Sequence, residues 1–438
     1  MKRTIGLALL AAVCCTQLPA RAEAGAANAD SALGVGGLVQ IDWRVHGQAS
    51  LDELDPASGA PLNDDRILLR RGRLFASVAQ GFASARLELE ASTVDALRVR
   101  PYEAWVAARW PENVPDSAFQ AGTPGARACD AECEGATATR PALRASLGLL
   151  PIAFGVDPSE PMALRPLLER SSWSTALFGS GRDFGLSLSG IYRFLRVSAA
   201  LMNGEPLDTG RYSGLDLTRS KDFLGRAAVG GRLLRAVSVE AGFSWLAGEG
   251  LHPGFAGTKD TLAWSDSNEN GLVDVSELSV IAGTPASPSR TFSRAALAGD
   301  LRVAVATPLG VSSLCAEVVR ARNLDRAVVP ADPVATGRDL REFGWSLRVS
   351  QTLLRHLEVA VRYDSYDPDS DARRAQGGLV VPSDSRFSTW GFALSTRVRG
   401  LRLMTEYDHN DNALGRGANG APTRLRNDRL NFRAEFAF

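Results

Sequence analysis

From residue 36 onward, apolar and polar residues alternate in segments of about ten. In 83–91, Ala83, Ala85, Leu87, Leu89 and Ala91 form one face, and Ser84, Arg86, Glu88 and Glu90 form the other. The same alternation sets Val237, Val239, Ala241, Phe243 and Trp245 against Ser238, Glu240, Gly242 and Ser244. It also sets Leu357, Val359, Val361 and Tyr363 against Glu358, Ala360, Arg362 and Asp364. A repeat of two is that of an extended strand, whereas a helix repeats near 3.6. Sixteen segments carry it: 37–48, 66–79, 82–92, 98–109, 143–155, 183–193, 195–203, 223–234, 237–246, 291–305, 312–321, 342–352, 357–365, 387–398, 401–409 and 429–438.

The connections alternate in length. Short turns fall near Gln80-Gly81, Phe194, Arg235, Pro308-Leu309-Gly310, Arg355-His356 and Arg399-Gly400. Between them lie long polar stretches, 49–65, 156–182, 204–222, 247–290, 322–341, 366–386 and 410–428. The segment 110–142 is long where a short turn is expected, and reads as an insertion or as a slip in the register. An even strand number, short turns on one side and long loops on the other are the signature of a transmembrane barrel. The expected class is therefore all-β: a 16-stranded antiparallel transmembrane β-barrel with long extracellular loops and short periplasmic turns, spanning 36–438.

A soluble β-sandwich would show the same alternation with the apolar face hidden. The many charges of both signs on the polar faces, taken over the sixteen segments together, weigh against it. So does the last segment, where Leu430, Phe432, Ala434, Phe436 and Phe438 oppose Arg429, Asn431, Arg433, Glu435 and Ala437. In lipid every backbone polar group needs a partner within the protein, so a spanning sheet must close on itself. The apolar face then points outward and the polar face inward, around a lumen that sixteen strands make too wide for wall side chains to fill.

The N-terminus reads as an address. Lys2 and Arg3 precede the apolar run from Ile5 to Cys15, and Ala20-Arg21-Ala22 is an A-x-A cleavage signal. The run is too short to span a bilayer as a helix, which takes about 20 residues. Residues 1–22 are expected to be a signal peptide and 23–35 a short lead, in a protein of a Gram-negative outer membrane. Only 13 or so residues precede the first strand, too few for the plug domain of an energised transporter.

The full chain has 49 basic and 49 acidic residues. Loss of Lys2, Arg3 and Arg21 with the signal leaves 46 against 49, about −3, which gives no basic footprint for nucleic acid. The lysines are Lys2, Lys221 and Lys259 alone, so the cations are almost all arginine. Cys129 and Cys133, four apart in ARACDAECEG, form a disulfide candidate in an oxidising compartment. Cys315, within a strand pattern, reads as a small apolar filler.

Several stretches in order resemble the phosphate-selective porin O and P family. They are RRGRLFASVAQGFASARLELEAS from Arg70, SLGLLPIAFGVD from Ser146, LLERSSWSTALFGSGRDFGLSLSG from Leu167 and AALMNGE from Ala199. The resemblance implies a trimeric sixteen-stranded porin, a third loop folded into the pore and a basic lumen that conducts anions, in some members phosphate. The last strand, ending on Phe438, resembles that of outer-membrane barrels in general, which the barrel assembly machinery reads. The sequence departs from the family's pore in having two mature lysines, with acidic residues among its arginines.

Strand phase gives the lumen candidates: Arg71, Arg73, Arg86 with Glu88, Arg144, Arg226, Arg232, Arg294, Arg348, Arg362, Arg402 and Arg433. Arginine keeps its charge and offers an anion a fork of donors. The third loop adds Arg165, Glu169, Arg170 and Arg182, which would set opposite charges across a constriction. The competing reading is that each arginine pairs with a carboxylate on the next strand and only supports the wall. The expected function is a passive diffusion channel for small solutes, preferring anions such as phosphate, as a homotrimer in outer-membrane lipid. The alternative is a plugged or structural barrel without conductance.

DSNENGLVDVSE, Asp266 to Glu277, matches the twelve-residue calcium loop at every specified position. Asp266, Asn268, Asn270, Asp274 and Glu277 would supply side-chain oxygens, Leu272 a carbonyl, and Gly271 the sharp bend. A bound calcium would stiffen the longest loop. A barrel hydrolase is the remaining class. No G-x-S-x-G is present, and His409 beside Asp408 and Asp411 is the only histidine with carboxylates, with no nucleophile assignable to it.

Overall fold

The computed structural model describes residues 32–46, 57–58, 65–94, 97–112, 114, 141–179, 181–206, 218–353, 356–376, 379–382, 386–398, 400–412, 415–416, 422–423 and 427–438. The expected signal peptide, most of the lead, Cys129 and Cys133 lie outside the described residues.

All sixteen segments marked by the alternation are strands of one closed antiparallel barrel. They are β1 (Ala32–His46), β2 (Asp65–Gln80), β3 (Ala83–Ser92), β4 (Arg98–Trp110), β5 (Ala142–Pro151), β6 (Arg182–Tyr192), β7 (Leu195–Met202) and β8 (Asp222–Leu234). There follow β9 (Val237–His252), β10 (Arg290–Thr307), β11 (Gly310–Arg322), β12 (Arg341–Leu353), β13 (Leu357–Asp367), β14 (Phe387–Val398), β15 (Leu401–Asn412) and β16 (Arg429–Ala437). Each strand pairs with its sequence neighbours, and β16 closes on β1 in the register Leu38↔Ala437 to His46↔Arg429. Gly37 and Phe438 exchange backbone hydrogen bonds of 2.9 and 3.1 Å at that seam. Closure leaves no sheet edge with unpaired amides.

The alternation is inside-out relative to a soluble protein. Leu87, Val106 and Leu147 on the outer face are more than half exposed, while their neighbours Glu88, Ala107 and Ser146 point inward and are buried. Aromatic rings group on the outer face: Trp345, Tyr363, Trp390 and Phe392 follow one another across β12 to β14 at centroid spacings of 5.0, 4.8 and 6.2 Å. Such rings suit the boundary between hydrocarbon and headgroup.

The 110–142 connection proves an insertion and not a slip, because β4 and β5 remain adjacent and in phase. It leaves from the rim of the short turns, where the Glu112 carboxylate lies beside the β2–β3 hairpin at Gly81. At the other rim, 93–97 is short among long loops. β9 and β10 run beyond the expected ends to His252 and Thr307. The loop after β9 carries its own hairpin, Thr261–Trp264 with Leu278–Ile281. β5 stops at Pro151, short of the expected 155, because Ile152, Phe154 and Val156 turn inward and are buried.

The third long-rim connection, 152–181, is the element that the alternation could not place. It enters the barrel and carries a short helix, Ser172–Phe178, of which Trp173, Ala176, Leu177 and Phe178 are wholly buried. These side chains and Phe154 share an apolar cluster with inward residues of the wall, among them Met202, Leu224, Leu246, Ala296 and Val319. Phe154 and Phe178 lie 4.7 Å apart, centroid to centroid. Gly344 on β12 admits the helix: a Cβ there would stand 2.5 Å from Cβ of Trp173. The lumen is thus filled at this level by a loop, the third, which the resemblance expects to fold into the pore.

Candidate functional site: the lumen and its inward loop

Every strand of the barrel presents at least one buried inward residue, from Asp42 on β1 to Arg433 on β16. Loop 152–181 crosses from β5 to the opposite wall and docks on part of this set. Its first turn docks on β9 and β11: Gly155 N donates to Ser244 Oγ at 3.0 Å and Val156 N to Glu317 Oε1 at 2.6 Å. Gly155 sits at φ 61, a conformation suited to glycine. The helix docks on β12 and β13, where Ser172 donates to Asp364 and the Trp173 indole to Ser346 at 3.4 Å. The tip reaches β15 and β16: Leu168 N donates to Glu406 Oε2 at 2.5 Å, and Arg433 Nη1 to the Leu168 carbonyl at 2.9 Å.

The acids of this loop are gathered by wall arginines. Glu169 accepts from Arg70 Nε at 2.8 Å, Arg71 Nη2 at 2.9 Å and Arg433 Nη2 at 2.8 Å. Glu160 accepts both forks of Arg348, at 2.7 and 3.1 Å. Asp157 accepts from the amide and hydroxyl of Ser171, both at 2.9 Å. Burial alone would raise the Glu169 carboxyl, but Arg70, Arg71 and Arg433 together hold it well below the usual carboxylate range. Asp157 is held down in the same way, by Arg165, Arg362 and Arg348 against burial.

The arginines chosen by strand phase face the lumen, and most are paired. Arg73 bonds Glu90 Oε2 at 2.7 Å and lies 3.5 Å from the centre of the Tyr102 ring. Arg86 bonds Glu88 at 2.6 Å and stacks 3.8 Å over Phe75. Arg144 bonds Ser146 Oγ at 2.7 Å and covers Trp105 at 4.4 Å. Arg226 pairs with Asp300, Arg294 with Asp222 at 3.1 Å and Arg362 with Asp364 at 2.8 Å. Arg402 Nη2 donates to the Arg165 carbonyl at 2.8 Å and faces Glu358 at 3.3 Å. Arg182 pairs with Glu103 at 3.0 Å, and Arg232 is exposed near the short-turn rim.

Two loop candidates depart from expectation. Arg165, 1% exposed, donates to the carbonyls of Asp157 and Glu160, at 2.6 and 2.8 Å. Arg170 donates to those of Gly179 and Pro158, at 2.8 and 2.7 Å. Both clamp the loop's own backbone and present no charge to a passing solute. The stretches of this loop outside its short helix leave carbonyls without helical partners, and a five-donor guanidinium satisfies several at once.

Three residues missed by the alternation complete the lumen. Arg70 lies on the bulge where the β1–β2 register shifts between Gln40 and Ile41, which turns it inward beside Arg71. Arg196 and Arg302 meet Glu240, Arg196 at 3.2 Å, and Arg226 stands 3.9 Å from the same carboxylate. The bulge has no sequence signature, whereas Arg196 and Arg302 carry the same phase as the arginines already chosen.

In the twelve-residue loop, Asp266 accepts the Gly271 amide at 2.8 Å, and Asn268 Nδ2 donates to Asp274 at 3.0 Å. Glu277 accepts the amides of Ser267 and Asn268 at 3.0 and 3.2 Å and the Trp264 indole at 3.2 Å, and these donors lower its pKa. Gly271 is at φ 70, as the bend requires, and Val273 points to solvent. The donor set is present in kind, but its carboxylates engage the loop's own amides. No group of three histidine, cysteine or acidic residues poised for a metal occurs among the described residues. His409 Nδ1 lies 3.0 Å from Asp428 Oδ2 at a strand end.

The fold has solved counterparts. The outer membrane channel DcaP of Acinetobacter baumannii superposes with a TM-score of 0.52 at 10% identity, over 94% of this chain and 99% of that one. OprB of Pseudomonas putida gives 0.51 at 11% identity, over 93% and 94%. OmpT of Vibrio cholerae, an outer membrane protein in a trimer form, gives 0.50 at 10%, over 93% and 100%. The chain has the fold of an outer-membrane β-barrel. No protein-family model matches the sequence, and no curated protein matches it. At such identities the likeness is one of architecture alone.

Proposed function

We propose that this protein is an outer-membrane channel for small solutes that prefers anions. The observation that carries the reading is the inverted polarity of the closed barrel, apolar outside and arginine-lined within. A wall of this kind is stable only with lipid around it and polar groups or water inside. The anion preference rests on the part of the lumen that β3 to β10 line toward the short-turn rim. There Arg86, Arg144, Arg196, Arg226, Arg232 and Arg302 outnumber Glu88, Glu103, Glu240 and Asp300, so the local field favours anions. Phosphate, the ligand implied by the sequence resemblance, suits these guanidinium forks, as other oxyanions do. The long-rim loops lie outside the cell and the short turns in the periplasm. Assembly as a homotrimer and reading of the terminal Phe438 by the assembly machinery belong to the same proposal.

The test is single-channel recording of the refolded protein across a KCl gradient, with phosphate then titrated. Stepwise conductance with an anion-sided reversal potential is expected. Steps with a cation-sided potential would remove the anion preference, and silence from folded protein would remove the channel. A second reading, a closed structural barrel, is favoured by the inward loop, which meets wall residues around the lumen. The loop Asp266–Glu277 is proposed to take calcium, with Asp266, Asn268, Asn270, Asp274 and Glu277 as side-chain ligands after Glu277 leaves the amides that it now accepts.

A further inference from the structure

Glu169 is an acid delivered by a loop into a site built by the wall. Arg70, Arg71 and Arg433 come from three separate places: a bulge, its strand neighbour and the closing strand. All three aim donors at one carboxylate within 2.9 Å. The wall's own acids serve only part of the set. Asp42 takes two donors of Arg433, at 2.6 and 2.8 Å, and Glu90 lies 4.0 Å from Arg71. Removing Glu169 would therefore leave Arg70 and Arg71 without the carboxylate that each now bonds. A carboxylate bound by three arginines is the arrangement with which proteins hold a free oxyanion, since the guanidinium fork matches two oxygens of one centre. The pair is also within reach of water: the side chains of Arg70 and Glu169 are 21% and 17% exposed.

We propose that Arg70, Arg71 and Arg433 form a binding site for a carboxylate- or phosphate-bearing solute. Glu169 occupies it as an internal anion, and a solute that takes its place frees the tip of loop 152–181 from the wall. The inference rests on the channel reading and adds its regulation. The tip is otherwise held by Leu168 N to Glu406, by Arg362, Arg402 and Arg433 to loop carbonyls, and by Leu167 packed on Ala360 and Ala393. Loss of a three-arginine contact thus removes the strongest charge pairing of the tip. The released site would lie between the mouth and the basic lower lumen, so the solute that opens the loop is also the solute that passes.

The experiment is bilayer recording of the whole refolded protein in KCl, with phosphate or acetate added and extra chloride as the control. Chloride lacks the paired oxygens of an oxyanion. In wild type, open probability is expected to rise at least about tenfold with either oxyanion and not with chloride, the scale of one charge-assisted contact. Glu169→Gln is expected to be open without added oxyanion and to show brief phosphate blockades at the vacated arginines. Those blockades should disappear in Glu169→Gln/Arg70→Gln. A response to phosphate but not acetate would restrict the site to phosphate-bearing solutes and keep the proposal. A wild type that conducts without oxyanion dependence and is matched by Glu169→Gln would overturn it while the channel reading stands. Silence of wild type and Glu169→Gln alike, both shown folded by β-type circular dichroism, would end the channel reading and this proposal together.

Discussion

The two halves of the lumen are built from the same residues to different ends. On β11 to β16, β1 and β2, loop 152–181 engages the arginines: Arg348 through Glu160, Arg362 and Arg402 through loop carbonyls and Arg433 through Glu169, with the wall acids Asp364 and Asp42 pairing Arg362 and Arg433 as well. Toward the short-turn rim of β3 to β10, Arg86, Arg144, Arg196, Arg226 and Arg302 pair with wall residues or cover aromatic rings. Arg86 over Phe75 and Arg144 over Trp105 keep part of their surface in the lumen. A charge in the first half acts through structure and a charge in the second through its field. The strand alternation, which is identical in both, cannot tell them apart.

Substitutions should separate the halves. The largest effect is expected from Trp173→Ala. This side chain is wholly buried against Gly344 and the apolar cluster, and such truncations cost about 3–5 kcal/mol. The barrel, closed by its own ladders, should persist while loop docking is lost. Limited proteolysis of the loop and a larger, noisier conductance would report it, and an unchanged loop would contradict the docking described.

Arg196→Gln and Arg302→Gln should act in the other half without moving the loop. A unit charge about 7 Å from an ion path in water is worth about 0.6 kcal/mol, roughly a factor of 2 to 3 in local anion occupancy. Each should shift the reversal potential toward cations by that ratio, less so in high salt. An equal shift from Arg348→Gln, whose charge the loop consumes, would erase the distinction between the halves.

Acid should loosen only the loop half. Asp157 and Glu169 have folded pKa values below their ordinary range, so their contribution is complete above the ordinary carboxylate pKa. It is lost as pH falls below about 4 toward the folded values. Loop protection from protease should be flat from neutral pH to about 5 and fall below about 4. A loss near pH 6 would contradict the three-arginine contact.

The smallest effect on transport is expected from calcium. Added calcium should protect the Thr261–Ile281 hairpin from proteolysis, and Asp266→Ala should abolish that protection, both with conductance unchanged. Absence of protection in the wild type would remove the metal site.

The strand pattern carried the barrel with few losses because lipid outside and polar groups inside impose one rule on every strand. Residues such as Leu87 and Glu88 obey that rule locally, so each segment could be read by itself. The bulge at Arg70 escaped, since a register shift is set by pairing with β1 and not by the β2 residues. Arg165 and Arg170 lie in the inward loop as expected but bond its own carbonyls instead of facing a constriction, for the same reason that the loop's path was illegible. That path depends on apolar residues meeting across the lumen: Phe154 and Trp173 from the loop, Gly344, Leu224 and Val319 from the wall. These are far apart in sequence and have no common period.

What the sequence alone determined is the number of strands, their phase and the arginine-rich inner face, because each follows from residues adjacent along the chain. What only the tertiary structure decided is which of those arginines remain open to a solute. That depends on where one loop comes to rest inside the barrel, and the resting place is fixed by contacts between segments that only the closed wall brings together.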